Sequence, residues 1–567
     1  MNNANPFTRE IIKNALVAIG EEMFIALKRT SMSPIIYEAL DYGIGLTDAR
    51  GQLISQGNGI PGFIGTLDGA VRSVMEKFPP ADILPGDMFI TNDPYGGGGT
   101  HLSDVSMIMP VFHEERLIAW TANKAHWTEV GGKDPGSFSS DATEIYQEGL
   151  QFPTVRIYDR GRINQAVVDM IAANVRLPDM TLGDLHACAA ALRVGERRLL
   201  SIVAKYGEET TLDAIERLLE HGEAMVLAAF ESLPKGTFHA EDVIDEDGLG
   251  NGPFTVKVKV EIGEGRFIAD FTGSSLQAQG PINNTLCGLQ SAVREVFMGV
   301  VRPGIPANAG CFRPIEVICP PGTICTAQRP APVSAYFESM VAAADVLRRA
   351  LAQLLPDRLI AGQLGSVCSM VLNGRHSITN DEYLLVQPLV GGWGAGHDKD
   401  GESGQFCVGN GETSNIPVEL TERCYEVLVE RYGFHHEEGG AGRHSGGRGV
   451  MLDYRILSPK AWVSTFFGRG STPPWGVDEG QEGSCNFAEV VRIQGKTERF
   501  SRANRVALQK GDLLRLVTAN GGGWGPAHRR SLEAIQDDIK NEYISVEQAW
   551  RYYPQQMSLA ANKRADL

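Results

Sequence analysis

The sequence predicts an α+β protein, with mixed helices and sheets in the first two thirds of the chain and a β-rich C-terminal portion. Apolar residues recur at helical spacing over residues 9–30, 165–206 and 211–232, which indicates amphipathic helices. Residues 254–271 alternate between apolar and polar side chains as strands do. After about residue 360, short apolar runs are separated by glycine-rich turns, a pattern that favours a sandwich or a barrel.

These changes of pattern divide the sequence into three expected domains. Residues 1–205 carry the motifs described below, residues 206–360 predict an α/β middle domain, and residues 361–567 predict a β-rich domain closed by a polar helix near 529–552. In the first domain we expect Thr8 to be the N-cap of the first helix. The apolar face of that helix is formed by Ile12, Leu16, Ile19, Met23 and Leu27.

The composition and net charge of the chain argue against several classes of function. The chain has 567 residues, 21% of them charged, and a formal net charge of −17. Nucleic-acid binding needs clustered Lys and Arg, so this charge argues against a nucleic-acid partner. The start of the chain lacks signal-peptide features, and no apolar run reaches the length of a membrane span. Nine cysteines without a C-x-x-C pair indicate reduced thiols. We therefore expect a cytoplasmic protein with no membrane partner.

Two short runs predict a metal site. The first, residues 92–104, reads NDPYGGGGTHLSD, and the second, residues 124–132, reads KAHWTEVGG. Two apolar segments between them are joined by a polar turn and predict a hairpin, which would bring His126 beside His101 and Asp104. Two imidazoles and one carboxylate suit a divalent cation of the zinc or manganese type.

A plainer interpretation remains open for each of these residues. A His or Asp near a turn is often a cap or a hydrogen-bonded, partly buried group rather than a ligand. The glycines favour the metal site, because four in a row, Gly96–Gly99, are kept where the backbone needs unusual dihedrals or close approach. Asp41, upstream on a predicted strand, reads by itself as an ordinary strand carboxylate.

No nucleotide site is expected in this chain. The one GK[ST] triplet is Gly495-Lys496-Thr497, and the phosphate-loop pattern would need glycine at position 490, which is Val490. None of the glycine-rich runs has the G-x-G-x-x-G spacing in a strand–turn–helix context.

The ordered motifs resemble the hydantoinase B/oxoprolinase family over almost the whole chain. Besides the two runs above, the likeness is carried by EGLQFP at 148–153, DFTGS at 270–274, GPINN at 280–284, IPANAG at 305–310, GGWGAG at 391–396, PVELTE at 417–422, GGAGRHSGGRG at 439–449 and GGGWG at 521–525. Many relatives have a second His after the one matched by His126 and an Asp two residues further on. Here Trp127 and Glu129 stand at those positions.

The resemblance implies one subunit of an ATP-dependent enzyme that opens hydantoin, 5-oxoproline or lactam rings. It implies metal ligands at Asp41, His101, Asp104 and His126, with zinc as the first choice and manganese as the alternative. It also implies a hetero-oligomer, in which an ATP-binding subunit of the hydantoinase A type holds the nucleotide. Asp93 and Glu129 are the candidates for orienting a ligand or moving a proton.

Two other functions stay open. One is a subunit of an ATP-dependent ketone carboxylase, in which the same metal would stabilise an enolate. The other is a non-catalytic scaffold whose metal only braces the fold. A scaffold predicts a closed coordination sphere, whereas a catalytic site keeps one position open.

Overall fold

A computed structural model describes residues 5–301, 304–305 and 307–565. Residues 1–4, on which the expectation about a signal peptide partly rests, and Pro306 of the IPANAG motif lie outside these ranges. The chain forms two compact units that interleave in sequence. The first comprises residues up to His239, Lys257–Ala344 and Gly409–Ile416, and the second comprises Ala240–Val256, Asp345–Val408 and the chain from Pro417. The division into three domains with limits near 205 and 360 stays a prediction.

Fourteen α-helices are found in the described residues. They are α1 Pro6–Thr30, α2 Pro34–Tyr37, α3 Pro61–Ile64, α4 Leu67–Lys77, α5 Gln165–Asn174, α6 Pro178–Tyr206, α7 Glu208–Phe230, α8 Leu286–Val300, α9 Ala309–Phe312, α10 Tyr336–Leu351, α11 Val418–Cys424, α12 Leu532–Lys540, α13 Val546–Tyr552 and α14 Pro554–Ala565. Within the same residues, no helix is both long enough and apolar enough to cross a membrane.

Twenty strands accompany these helices in the described part of the chain. They are β1 Tyr42–Asp48, β2 Leu53–Gln56, β3 Met88–Thr91, β4 Asp104–His113, β5 Arg116–His126, β6 Val155–Asp159, β7 Arg162–Ile163, β8 Gly236–Ile244, β9 Phe254–Gly263, β10 Arg266–Asp270, β11 Ile315–Ile318, β12 Ser369–Arg375, β13 Glu382–Gln387, β14 Val427–Phe434, β15 Val450–Ile456, β16 Lys460–Phe466, β17 Phe487–Val491, β18 Thr497–Phe500, β19 Arg502–Gln509 and β20 Leu513–Val517.

The strands form four sheets. The largest, in the first unit, has seven strands in the order β2-β1-β5-β4-β3-β6-β7. A four-stranded sheet has the order β11-β10-β9-β8. The second unit holds two antiparallel sheets, β13-β12-β16-β19 and β14-β15-β20-β17-β18. The predicted α+β class, with a β-rich C-terminal portion, is therefore confirmed.

The seven-stranded sheet lies between two helical layers. Helix α4 packs its apolar side against Phe89, Ile108 and Trp120 of β3, β4 and β5. On the other side, the Asn123 amide of β5 donates to the Cys188 carbonyl of α6 at 2.9 Å. Since both faces are covered, β4 and β5 are buried over most of their length, which explains their apolar sequences.

Helix α1 buries the apolar face that the sequence predicts, but it begins before the predicted N-cap. All five residues of the expected apolar stripe on α1 are buried. The N-cap is Asn5 rather than Thr8, because the Asn5 side chain accepts a hydrogen bond from the Phe7 N–H at 3.0 Å and Pro6 occupies the first turn. Proline favours that position because it has no N–H to leave unpaired.

The single closing helix expected near 529–552 is two helices instead, α12 and α13, and α14 follows them. A new helix begins after Ser545, whose hydroxyl accepts from the Gln548 N–H while the Gln548 side chain accepts from the Ser545 N–H. Such a reciprocal cap satisfies two donors that a helix start leaves unpaired.

Several glycine-rich runs of the second unit form its interior rather than surface turns. The run 520–525 is entirely buried. Its N–H groups donate to backbone carbonyls of other segments: Gly521 to Gly447 at 3.0 Å, Gly522 to Gly362 at 2.8 Å, and Gly523 to Gln481 at 2.8 Å. We call the runs 391–396, 440–449 and 520–525 the glycine core. Backbones packed this closely leave no room for side chains.

Adding one methyl group to a glycine of the glycine core tests whether its backbones are closely packed. A Cβ at Gly521 would lie 2.1 Å from the Trp393 carbonyl oxygen, so Gly521→Ala forces two backbones apart. We expect it to destabilise the protein by about 1–3 kcal/mol or more, measured by denaturant unfolding. Gly433→Ala in β14 is the control, because a Cβ there meets nothing within 4 Å, and we expect a change within about 0.5 kcal/mol. Equal losses in both variants would contradict the close-packing argument.

Candidate metal centre

The β4–β5 hairpin creates the site. Strand β4 begins at Asp104 and β5 ends at His126, and these two residues are direct cross-strand partners. His101 lies in the turn that leads into β4. The structure therefore brings together the three side chains that the sequence predicts to meet, at the open end of one hairpin.

Three side-chain atoms converge there. His101 Nε2 lies 2.8 Å from Asp104 Oδ1 and 3.2 Å from His126 Nδ1, and His126 Nδ1 lies 3.2 Å from Asp104 Oδ1. Bonds of about 2.0–2.1 Å in a tetrahedral zinc site would separate neighbouring ligand atoms by about 3.3 Å. The three contacts are close to that spacing, and all three residues are buried.

Hydrogen bonds from outside leave ligand atoms facing inward. The Ser334 carbonyl oxygen lies 2.8 Å from His101 Nδ1, and because a carbonyl only accepts, Nδ1 carries the hydrogen. His101 Nε2 then presents a lone pair to the cluster. The Thr100 hydroxyl donates to Asp104 Oδ2 at 2.6 Å, which leaves Oδ1 for the centre. Metal-binding His and Asp residues are commonly oriented by such outer contacts.

Electrostatics favours the protonation states that metal ligands need. Burial opposes ionisation of Asp104, but the adjacent imidazoles of His101 and His126 hold the pKa of its carboxyl below the usual range. Burial also lowers the pKa of His126. His126 Nε2 is buried and has no hydrogen-bond partner among the described residues. An ionised carboxylate and neutral imidazoles are the forms that bind a divalent cation.

Asp41 lies beside the cluster, but its carboxylate is not among the three converging side chains. Its backbone carbonyl accepts from the His126 N–H at 3.0 Å. Burial, and then the charge of Asp104, raise the pKa of its carboxyl well above the usual value. The preceding Leu40 has φ +61°, an uncommon conformation for a bulky residue that is found at functional sites. Asp41 as a fourth ligand stays a prediction.

Aromatic rings surround the two imidazoles. The His101 ring lies 5.2 Å from that of Phe138 and 5.1 Å from that of Tyr336, measured between centroids. Burial, and then the charge of Asp104, raise the pKa of Tyr336 well above the usual value. An apolar surround with few waters strengthens electrostatic interactions inside it.

Glycine residues allow the run 92–104 to pack closely against helix α4. Gly98 has φ +69°, and a Cβ there would lie 2.3 Å from the Ala70 nitrogen of α4. The Gly98 carbonyl also accepts from the buried Lys124 ammonium at 2.8 Å. The four-glycine run thus allows the backbone to approach α4 closely, as the sequence predicts.

The Glu129 carboxylate is fully buried and holds the loop after β5. It accepts hydrogen bonds from the Gly131 N–H at 2.6 Å, the Gly136 N–H at 3.0 Å and the Ser137 hydroxyl at 2.8 Å. Arg176 pairs with it at 3.1 Å. Its proton-transfer role stays a prediction, and the four partners favour a structural task for this carboxylate.

Asp93 shapes the glycine turn from the surface side. Its carbonyl accepts from the N–H groups of Gly97 and Gly99 at 3.1 and 3.0 Å. Its carboxylate accepts from the Tyr95 N–H at 3.2 Å and lies 3.4 Å from the Arg329 guanidinium. These contacts orient the turn that carries His101, and a proton-transfer role for Asp93 also stays a prediction.

Lys124 and Glu148 are two further candidate functional residues. Both lie within the sequence motifs, but neither is predicted to be functional from the sequence. Lys124 is completely buried, and burial lowers its pKa to about 8. Glu148, the first residue of EGLQFP, accepts from the N–H groups of Val333 and Ser334 at 2.8 Å each. Burial raises the pKa of Glu148 to about 8. By binding Ser334, Glu148 fixes the carbonyl that orients His101.

Comparison with known proteins agrees with the motifs. The family model for hydantoinase B/oxoprolinase matches residues 5–527. A putative D-/L-hydantoinase subunit from Pseudomonas sp. (strain NS671) is 31% identical over 573 residues, which cover 97% of this chain and 95% of that protein. The beta subunit of the caprolactamase from Pseudomonas jessenii is 31% identical over 561 residues, which cover 97% and 96%.

Solved structures share the fold. The crystal structure of the ATP-dependent caprolactamase from Pseudomonas jessenii matches with a TM-score of 0.89 at 29% identity, over 97% of this chain and 96% of that one. Nucleotide-free acetone carboxylase matches with a TM-score of 0.90 over 99% of this chain and 83% of that one, but at 19% identity this likeness speaks for the fold alone. On the evidence of the family model, the relatives and the shared fold, the chain belongs to the hydantoinase B/oxoprolinase family.

Proposed function

We propose that this chain is the metal-binding subunit of an ATP-dependent hydrolase of cyclic amides, acting on a hydantoin, 5-oxoproline or another lactam. The observation that carries the proposal is the convergence of His101 Nε2, Asp104 Oδ1 and His126 Nδ1 within 3.2 Å of one another. Membership of a family that includes a hydantoinase subunit and a caprolactamase subunit supports the substrate class.

His101, Asp104 and His126 would hold the metal, with Asp41 beside them as the fourth ligand. Two imidazole nitrogens with carboxylate oxygens suit zinc, and they also accept manganese. A bound divalent ion polarises a carbonyl group or lowers the pKa of a coordinated water to about 7. Opening an amide ring needs that help, because amides are weak electrophiles.

The residues around the ligands prepare the site. The Ser334 carbonyl fixes the tautomer of His101, and the Thr100 hydroxyl fixes the rotamer of Asp104. Phe138 and Tyr336 limit access of water to the imidazoles. Glu129 keeps the loop that carries Phe138 in place through its backbone contacts at Gly131 and Gly136.

Nucleotide chemistry is proposed to belong to a partner of the hydantoinase A type. The sequence of this chain has neither a phosphate loop nor a dinucleotide-binding pattern. Opening an unstrained lactam can be energetically uphill, so phosphoryl transfer from ATP would activate the amide oxygen. The names of the relatives, each given as one subunit of an enzyme, support an assembly of more than one chain.

A ketone carboxylase subunit remains the second candidate, because the three converging side chains could hold a metal for that reaction as well. In that case the same metal would stabilise an enolate instead of an amide addition product. The two functions differ in substrate, and a common assay separates them.

The proposed metal site predicts how many metal ions each chain contains. We expect the purified chain to contain close to one zinc or manganese ion, and His101→Ala to lose most of it because one of the converging atoms is removed. Elemental analysis of the dialysed protein measures this. His113→Ala is the matched control, since His113 lies at the other end of the same hairpin and pairs with Glu208; it should keep its metal. Full occupancy in His101→Ala would contradict the assignment.

The enzyme assignment predicts a shared activity. Co-expressed with an ATP-binding subunit of the hydantoinase A type, the chain should open hydantoin, 5-oxoproline or caprolactam with concurrent ATP hydrolysis. His101→Ala in the same complex should reduce ring opening to background. Alone, the chain should give no ATP-binding signal in calorimetry. Carboxylation of acetone without ring opening would favour the second candidate, and tight ATP binding by the isolated chain would contradict the division of labour.

Paired variants separate the two roles predicted for Glu129. If Glu129 acts by holding its loop, Glu129→Gln and Arg176→Met should lower the turnover of the complex by similar factors, because each removes one half of the same ion pair. If Glu129 moves a proton, Glu129→Gln should lose about 10²-fold or more, and Arg176→Met, which keeps the carboxyl group, far less. We expect similar factors, with metal content retained in both variants.

A further inference from the structure

A buried amide side chain links the turn before β4 to the EGLQFP segment, residues 148–153. Asn92 is completely buried, and its Nδ2 donates to the Leu102 carbonyl at 2.8 Å and to the Leu150 carbonyl at 2.9 Å. Its Oδ1 accepts from the Phe152 N–H at 2.7 Å. Both amide hydrogens and the amide oxygen of Asn92 are therefore bonded to backbone groups.

The first of these contacts lies next to one of the converging side chains. Leu102 directly follows His101 in the turn that leads into β4, and the Asp104 N–H donates to the His101 carbonyl at 3.1 Å. The turn is thus closed between its ends, and Asn92 binds a carbonyl that lies within it. Asn92 therefore fixes, from outside the turn, the backbone that carries the His101 imidazole.

The same segment reaches His101 by a second route. Glu148, its first residue, accepts from the N–H groups of Val333 and Ser334 with one oxygen, Oε1, at 2.8 Å each. The Ser334 carbonyl oxygen in turn lies 2.8 Å from His101 Nδ1. The segment is therefore connected to the imidazole ring of His101 as well as to the backbone beside it.

The segment is itself held against the loop after β5. The Leu150 N–H donates to the Val130 carbonyl at 2.8 Å. Gly149 has φ +129°, and a Cβ there would lie 2.6 Å from the same carbonyl oxygen, so glycine is needed for this close approach. Val130 lies shortly after His126 in the chain, so the support for one imidazole is attached to the loop that follows the other.

We propose that residues 148–153 form a supporting segment for the metal centre, with Asn92 and Glu148 as positioning residues for His101. This inference rests on the proposed function, because His101 needs such support only if it binds a metal. Ligands in a functional site must be held within about 0.5 Å of their working positions. Loss of an outer contact to a metal ligand typically weakens metal binding by about 10- to 100-fold.

The second unit offers a matched control. Asn486 is also completely buried, and its Nδ2 donates to the carbonyls of Leu364 and Gly468 at 2.9 and 2.8 Å. Its Oδ1 accepts from the Ala519 N–H at 2.6 Å. Replacing Asn486 or Asn92 by Ala thus leaves two carbonyls and one N–H unpaired, so the two variants should lose similar amounts of stability.

The experiment titrates the metal-free full-length chain with Co²⁺ and records the visible absorption, which depends on the number and geometry of the ligands. We expect Asn92→Ala to bind Co²⁺ about 10- to 100-fold more weakly than the wild type, with an altered spectrum because His101 is displaced. Asn486→Ala should keep the affinity and spectrum of the wild type, although its Tm falls by a similar amount.

Separate variants test the second route. Glu148→Met removes the oxygen that accepts from Val333 and Ser334, and it should weaken Co²⁺ binding by about tenfold or more. Glu148→Gln keeps an oxygen that can accept both hydrogen bonds, so it should bind Co²⁺ far better than Glu148→Met. Because the two routes are tested by different variants, the misfolding of one variant leaves the other decisive.

Two outcomes would overturn the supporting role and leave the proposed metal site intact. The first is a wild-type Co²⁺ affinity and spectrum in folded Asn92→Ala or in folded Glu148→Met. The second is an equal loss of affinity in Asn486→Ala, which would trace the effect to lowered stability rather than to the position of His101. A wild-type chain that binds no Co²⁺ would instead overturn the proposed function, and this inference with it.

Discussion

The antiparallel pairing of β4 with β5 is the interaction on which the candidate site depends. Its register sets Asp104 opposite His126, and a slip by one residue would turn every side chain of a strand to the opposite face. Helices α4 and α6 cover the two faces of this hairpin and bury both strands. The observed register is then strongly preferred, because it pairs the buried Asn123 with α6 and the buried Lys124 with Gly98, and any other register would bury polar groups without partners.

The converging ligands in turn depend on segments distant in sequence. Ser334 lies more than two hundred positions from His101, yet its carbonyl settles which imidazole nitrogen carries the hydrogen. Glu148 holds that carbonyl in place from a third segment. The centre is therefore a property of the folded first unit, although its three converging residues lie close together in sequence. In a separate hairpin, the same residues would lack the contacts that orient them.

Sequence reasoning succeeded where a local pattern determines the structure. The apolar stripe of α1 and the strands on either side of the 113–116 turn follow from periodicity alone, and their ends placed His101, Asp104 and His126 together. It failed where one side chain decides between neighbouring alternatives. Asn5 rather than Thr8 caps the first helix, and Ser545 starts a new helix where a continuous one was expected. The burial of Lys124 and Glu148 depends on helices and loops from elsewhere in the chain, so no local pattern predicts it.

The glycine core also affects how the second unit responds to temperature. Its segments bury peptide groups against peptide groups, so unfolding exposes polar surface where an ordinary interior would expose hydrocarbon. Exposed apolar surface raises the heat capacity of unfolding, and exposed polar surface lowers it. The heat capacity change per residue should therefore fall below the usual value of about 12–15 cal/mol/K. A smaller change gives a flatter dependence of stability on temperature, so a unit built around backbone hydrogen bonds loses less of its stability on cooling than one built around a hydrocarbon interior.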